Sequence, residues 1–183
     1  MNYNEVANSS DLIAYIQQET KDPWENTPFE GYVHMDPKQK GEFGEMFVDK
    51  CATQQGFNVE RAPTSTAGHD RVINRVRTEI KFSLAQKDKK NNSIRDNTFI
   101  INHAAEKKDW ERLIFVGINS NINDSIFVWF TKEDFQEHLK ATNCCFRRQQ
   151  SGKDGGNDDY MCSGKNLTIL FNQPFIKKGL DEW

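Results

Sequence analysis

The stretch Val76-Arg77-Thr78-Glu79-Ile80-Lys81-Phe82-Ser83-Leu84 decides how this chain is read. Side chains of a strand alternate between its two faces, so Ile80, Phe82 and Leu84 point one way and Glu79, Lys81 and Ser83 the other. A carboxylate and an ammonium group therefore stand side by side on one face of an otherwise apolar strand. An acid followed two places later by lysine occurs five times in the chain, beginning at Glu19, Asp36, Glu79, Asp88 and Glu106. Four of these lie at helix ends, in an arm or in charged surface stretches, where solvation explains them. Only the pair at Glu79 is set into a strand.

Just upstream, Asp70 to Ile73 reads as a second strand, joined to the first at Asn74-Arg75, where asparagine tolerates the positive φ of a tight hairpin turn. A two-residue turn there sets Asp70 directly opposite Glu79. Like charges facing each other across strands are destabilising unless a cation sits between them. Hard oxygen ligands so placed suit Mg²⁺, which keeps several waters and takes only one or two carboxylates. Lys81 would then hold an attacking water or stabilise charge developing on a phosphate. The competing reading is an ordinary ion pair on an exposed sheet face, with Asp70 merely ending a loop.

Further upstream lie a polar loop, Thr64 to Gly68, a short strand around Phe57 and Val59, and a helix over about 40–55, in which Phe43, Phe47 and Cys51 recur at four-residue spacing before Gly56. Glu42, Glu45 and Asp49 occupy another face of that helix. Residues 21–39 carry Pro23, Pro28 and Pro37 among Trp24, Phe29 and Tyr32, and read as an irregular arm. A first helix covers about Ser10 to Thr20. Downstream, the pattern predicts a partly helical segment over about 98–112 and a buried strand over Leu113–Ile118. The strand's hairpin partner is Ile126–Phe130, and a helix opens with the capping pair Thr131 and Asp134 and runs to about Lys140. A glycine-rich mobile loop, Gln149–Gly164, and a last strand, Leu167–Phe171, complete the chain. The organisation expected is an arm over residues 1–39 and one globular domain over 40–183.

With 183 residues, 36% hydrophobic and 28% charged, including thirteen Phe and four Trp, the chain can bury a substantial core, which excludes a disordered protein. A net charge of −3 denies it a basic coat but not a local basic groove. Lys87, Lys89 and Lys90 with Arg95, or Arg147 and Arg148 with Lys153, could border a phosphate backbone, although a solvated surface loop is the preferred reading of either cluster taken alone. No apolar run approaches a membrane span, and the polar start lacks the features of a secretory signal, so a cytoplasmic protein is expected. Cys51, Cys144, Cys145 and Cys162 form no C-x-x-C unit and are expected to be reduced.

Several pieces together resemble the PD-(D/E)xK nucleases: Lys40-Gly41-x-x-Gly44-Glu45 on a helix, Gln55-Gly56-Phe57-x-Val59, Arg61-Ala62-Pro63-x-Ser65, His69-Asp70 and Glu79-Ile80-Lys81. Where the family name has proline before the aspartate, this chain has His69. The resemblance implies an α/β (α+β) fold with a restriction-endonuclease-like core, a central mixed β-sheet flanked by helices. It also implies that Asp70 and Glu79 ligate Mg²⁺, with Mn²⁺ able to substitute. The carbonyl of Ile80 would complete the shell, Lys81 would position or deprotonate water, and Glu45, or its competitor Glu42, would orient or bind a second metal. Ser65, His69 and Ser83 are candidates for contact with the phosphate backbone, as are Lys87, Lys89, Arg147 and Lys153 for DNA binding. The activity implied is DNA phosphodiester hydrolysis, giving 5′-phosphate and 3′-hydroxyl ends. A sequence-specific type II restriction endonuclease acting on double-stranded DNA as a homodimer is preferred, as part of a restriction-modification pair. A Holliday-junction resolvase and a non-catalytic DNA-binding module on the same fold are the alternatives.

Overall fold

The computed structural model of the chain describes residue 6 and residues 8–64, 66–88, 90–149 and 158–183. Among the described residues four α-helices, α1 (Ser10–Thr20), α2 (Pro37–Gln54), α3 (Lys132–Lys140) and α4 (Lys165–Phe171), accompany nine strands. The strands are β1 (Val59–Arg61), β2 (Arg71–Ile73), β3 (Val76–Leu84), β4 (Ile100–Ala105), β5 (Arg112–Ile118), β6 (Ile126–Thr131), β7 (Arg147–Arg148), β8 (Asp159–Ser163) and β9 (Lys177–Lys178). Six strands form a central sheet in the order β1-β2-β3-β5-β6-β9, and three form a second in the order β4-β8-β7. The central sheet is mixed: β3 and β5 run parallel while its other neighbours are antiparallel. The fold is thus α+β, a mixed sheet flanked by helices. No helix among the described residues is long and apolar enough to cross a membrane.

The β2–β3 hairpin turns on Asn74 and Arg75, with φ of 46° and 70°. Both central residues being left-handed is the signature of the two-residue turn whose twist matches the flanking strands. Asn74 also fastens the turn to the start of β1: its N–H donates to the Asn58 carbonyl and its side-chain oxygen accepts from the Asn58 N–H, both at 2.9 Å. The register that follows pairs Arg71 with Thr78 and Ile73 with Val76.

Helix α2 begins three residues before the sequence reading places it. Asp36 accepts from the Gln39 N–H, Gln39 answers to the Asp36 N–H, and Pro37 fills the first helical position, where its missing N–H costs nothing. The helix lies on the Ile80–Phe82 face of β3, where Phe43 and Phe47 meet the Phe82 ring at 5.5 and 5.3 Å between centroids. Gly44 permits that approach, since a Cβ there would stand 2.4 Å from Phe82 Cβ. Helix α3, capped by Thr131 and Asp134, packs Phe135 against Trp110, Phe130 and Phe146.

Three expectations are corrected. The segment read as partly helical over 98–112 contains strand β4, because Ile100 and Ile101 can pair with Ser163 and Cys162 of β8. The segment read as a last strand is helix α4. Leu167 and Leu170 are buried three residues apart while Ile169 is 48% exposed, a helical spacing and not an alternating one. Within the expected glycine-rich loop, residues 159–163 form β8; the loop residues 150–157 lie outside the described residues. The four cysteines are free.

Candidate active site

Asp70 stands immediately before β2, and its N–H donates to the Thr78 carbonyl at 3.0 Å, one residue out of step with the Arg71–Thr78 register. Its Oδ2 accepts from the Ile80 N–H at 2.7 Å. Because N–H and C=O of one strand residue point to the same edge, the Ile80 carbonyl also lies on the side of β3 from which Asp70 approaches. Glu79 is only 1% exposed. One of its oxygens, Oε1, accepts from Lys81 Nζ at 2.7 Å and from Lys108 Nζ at 3.2 Å, and the other, Oε2, is buried with no partner.

This environment raises the Asp70 carboxyl from its ordinary value to about 6. Burial is the main cause and the Glu79 charge the next, with Glu45 adding to them; the Ile80 N–H and the Lys81 ammonium act in the opposite direction. Two neighbouring carboxylates, one with an unpartnered buried oxygen, are a donor set a divalent cation would complete. Among the described residues, no three His, Cys, Asp or Glu side chains converge as a ready-made metal cage. Two carboxylates and a main-chain carbonyl still fit the small protein contribution Mg²⁺ requires.

Glu45 is turned elsewhere. Its Oε2 accepts from Arg71 Nη1 at 2.7 Å, and the same guanidinium takes Asp49 through Nε at 2.8 Å. Alternation explains this, because Arg71 and Thr78 share the face of the sheet that receives α2, whereas Glu79 and Lys81 share the other. Glu45 nevertheless lines a recess of about 460 Å³ with the exposed Glu42, Arg61, His69 and Asp70. Arg71 is 3% exposed and also donates to the Asp70 carbonyl at 2.9 Å, so it ties helix, strand and aspartate together. Sequence reading missed it. The signal was there in Glu45 and Asp49, one helical turn apart on one face and in need of a cation.

The remaining candidates divide. His69 Nδ1 lies 3.2 and 3.1 Å from the carbonyls of Ala67 and Asp109, and so docks one loop on another. Ser83 is not free to meet a phosphate, because it is buried and its hydroxyl donates to the Leu84 carbonyl and accepts from the Ile100 N–H. Lys87 is exposed on the rim of a cleft of about 490 Å³ that Lys81 also lines. Arg147 is exposed on β7, in the second sheet. Ser65, Lys89 and Lys153 lie outside the described residues.

No protein-family model matches the chain, and no curated protein matches it. Among solved structures it is similar to a bacterial homing endonuclease, at 14% identity and a TM-score of 0.40, over 74% of this chain and 93% of that one.

Proposed function

We propose that the protein is a Mg²⁺-dependent endodeoxyribonuclease of the PD-(D/E)xK type, hydrolysing phosphodiester bonds in double-stranded DNA. The observation that carries this is the approach of the Asp70 carboxylate to β3 at Ile80, next to Glu79, with Lys81 2.7 Å from a Glu79 oxygen whose partner oxygen is buried and unpartnered. A bound cation would satisfy that oxygen, since a stranded buried acceptor costs about 1–3 kcal/mol.

Asp70, Glu79 and the Ile80 carbonyl would hold the divalent ion, which supplies Lewis-acid polarisation of the phosphate and a more acidic bound water. Asp70 stays fixed for this by the Ile80 N–H, and its carbonyl by Arg71. Lys81, only 17% exposed, keeps its ammonium at the reacting face, where it orients the attacking water in line with the leaving 3′ oxygen. Glu45 acts through Arg71 as a support of this arrangement.

Within that class, a sequence-specific type II restriction endonuclease acting as a homodimer is the preferred reading, because one site cuts one strand and a two-fold axis supplies the second. Incubating the protein with long mixed-sequence DNA tests this. Discrete fragments with Mg²⁺ and intact DNA with EDTA are expected. Intact DNA under both conditions, with a mobility shift, would make the protein a binder and sink the enzymatic reading.

A further inference from the structure

The loop between β4 and β5 brings a second lysine to Glu79, one that the D/E-x-K motif does not include. Lys108 Nζ lies 3.2 Å from Glu79 Oε1, the atom that Lys81 already holds at 2.7 Å. This placement is built from several sides. The Lys107 N–H donates to Asp158 Oδ2 at 2.9 Å and the Glu106 N–H to the Asp158 carbonyl at 3.0 Å. Trp110 Nε1 closes the loop on the Ala105 carbonyl at 2.8 Å, and Lys132 Nζ donates to the carbonyl of Lys108 itself. On the facing side Gly68, at φ +81°, lets the loop before Asp70 press against Asp109, where a Cβ would meet the Asp109 nitrogen at 2.6 Å. A lysine held only by its charge needs none of this scaffolding.

The two carboxylates and two lysines cancel, and a divalent ion then leaves two positive units in the site. Attack by hydroxide on a phosphodiester produces a transition state with two negative charges, and stabilisation is best where fixed charge matches charge that develops. Without Lys108 the site would fall one unit short. Its side chain is 45% exposed, against 17% for Lys81, which leaves it able to reach a bound strand.

We propose that Lys108 is a catalytic residue of this site, an ammonium group that contacts the scissile phosphate and stabilises its transition state alongside Lys81. This rests on the phosphodiesterase reading above.

The test compares wild-type protein with Lys108→Ala and Lys108→Arg, each checked for an unchanged melting temperature. Single-turnover cutting of long DNA with Mg²⁺ is expected to fall about 10²–10³-fold in Lys108→Ala, the loss typical of one removed charge-stabilising donor. Lys108→Arg is expected to recover at least about tenfold of it, since the cation is retained. Binding of a short labelled duplex with Ca²⁺ in place of Mg²⁺ provides a readout apart from activity. There the slope of log affinity against log salt should become shallower by about one in Lys108→Ala, as for one lost phosphate contact. Cutting within about threefold of wild type, or an unchanged salt slope, would overturn the assignment; should Lys108→Ala not fold, Lys108→Met is read by the same criteria. A wild-type protein that cuts nothing overturns the phosphodiesterase reading itself. A wild-type protein that cuts while Lys108→Ala cuts equally well overturns only the role of this lysine.

Discussion

The two sheets contribute to the site in different ways. In the central sheet Glu79 and Lys81 lie on one hairpin, whose register a two-residue turn sets, and Asp70 immediately precedes it. The three-stranded sheet is assembled from strands far apart in the chain, β4 at Ile100–Ala105 and β8 at Asp159–Ser163, and its ladder is interrupted between Ile101 and Ala104, where His103 takes φ of 53°. It supplies no ligand, but it anchors the loop that carries Lys108. In the proposed site a local motif would have its charge completed by a distant scaffold.

That contrast can be attacked at four points. The largest effect is expected at the hairpin: Lys81→Ala should reduce cutting by at least about a thousandfold, some 4 kcal/mol of transition-state stabilisation, with the melting temperature held. A variant that cuts normally would remove the hairpin from the chemistry. Next is the helix seat of that sheet. Gly44→Val has no room against Phe82 Cβ and should lower stability by about 2–3 kcal/mol in urea titration. An unaffected midpoint would mean α2 shifts freely.

The third concerns proton linkage in the metal-free protein. The Asp70 carboxyl is raised from 3.8 to about 6, so between those values the folded form binds more protons than the unfolded one. The stabilisation is full below about pH 4 and is lost as pH rises through 6, on the order of 2–3 kcal/mol. Asp70→Asn should flatten that part of the stability profile, and Mg²⁺ should raise the melting temperature of wild type but not of the variant. A profile identical in both would show that Asp70 carries no such linkage. The smallest effect tests the scaffold. Asp158→Ala removes the acceptor of the Lys107 N–H and should slow cutting by about tenfold, with the motif residues untouched. A rate equal to wild type would show that the second sheet does not position the loop.

Legibility followed the range of the interactions. The hairpin, its register and the β5–β6 pair could be read because alternation and turn chemistry act over a few residues. Strand β4 was misread because its preference is set by β8, whose first residue lies more than fifty positions away, and α4 because Leu167 to Phe171 is apolar enough for either period. Arg71 escaped, and so did the place of Lys108 beside Glu79, for one reason: each depends on a partner that only packing brings near. Lys108 even ends the acid-x-lysine triplet that begins at Glu106, which local context assigns to solvent.

The sequence by itself determined the β2–β3 hairpin and the face that Glu79 and Lys81 share, since the pleat and a two-residue turn leave the backbone little alternative. Tertiary structure alone decided that Glu45 answers to Arg71, that Ser83 is spent on β4, and that a second ammonium group reaches Glu79. Those are contacts between elements, and they are settled by which faces the core must bury, a choice no short segment makes alone.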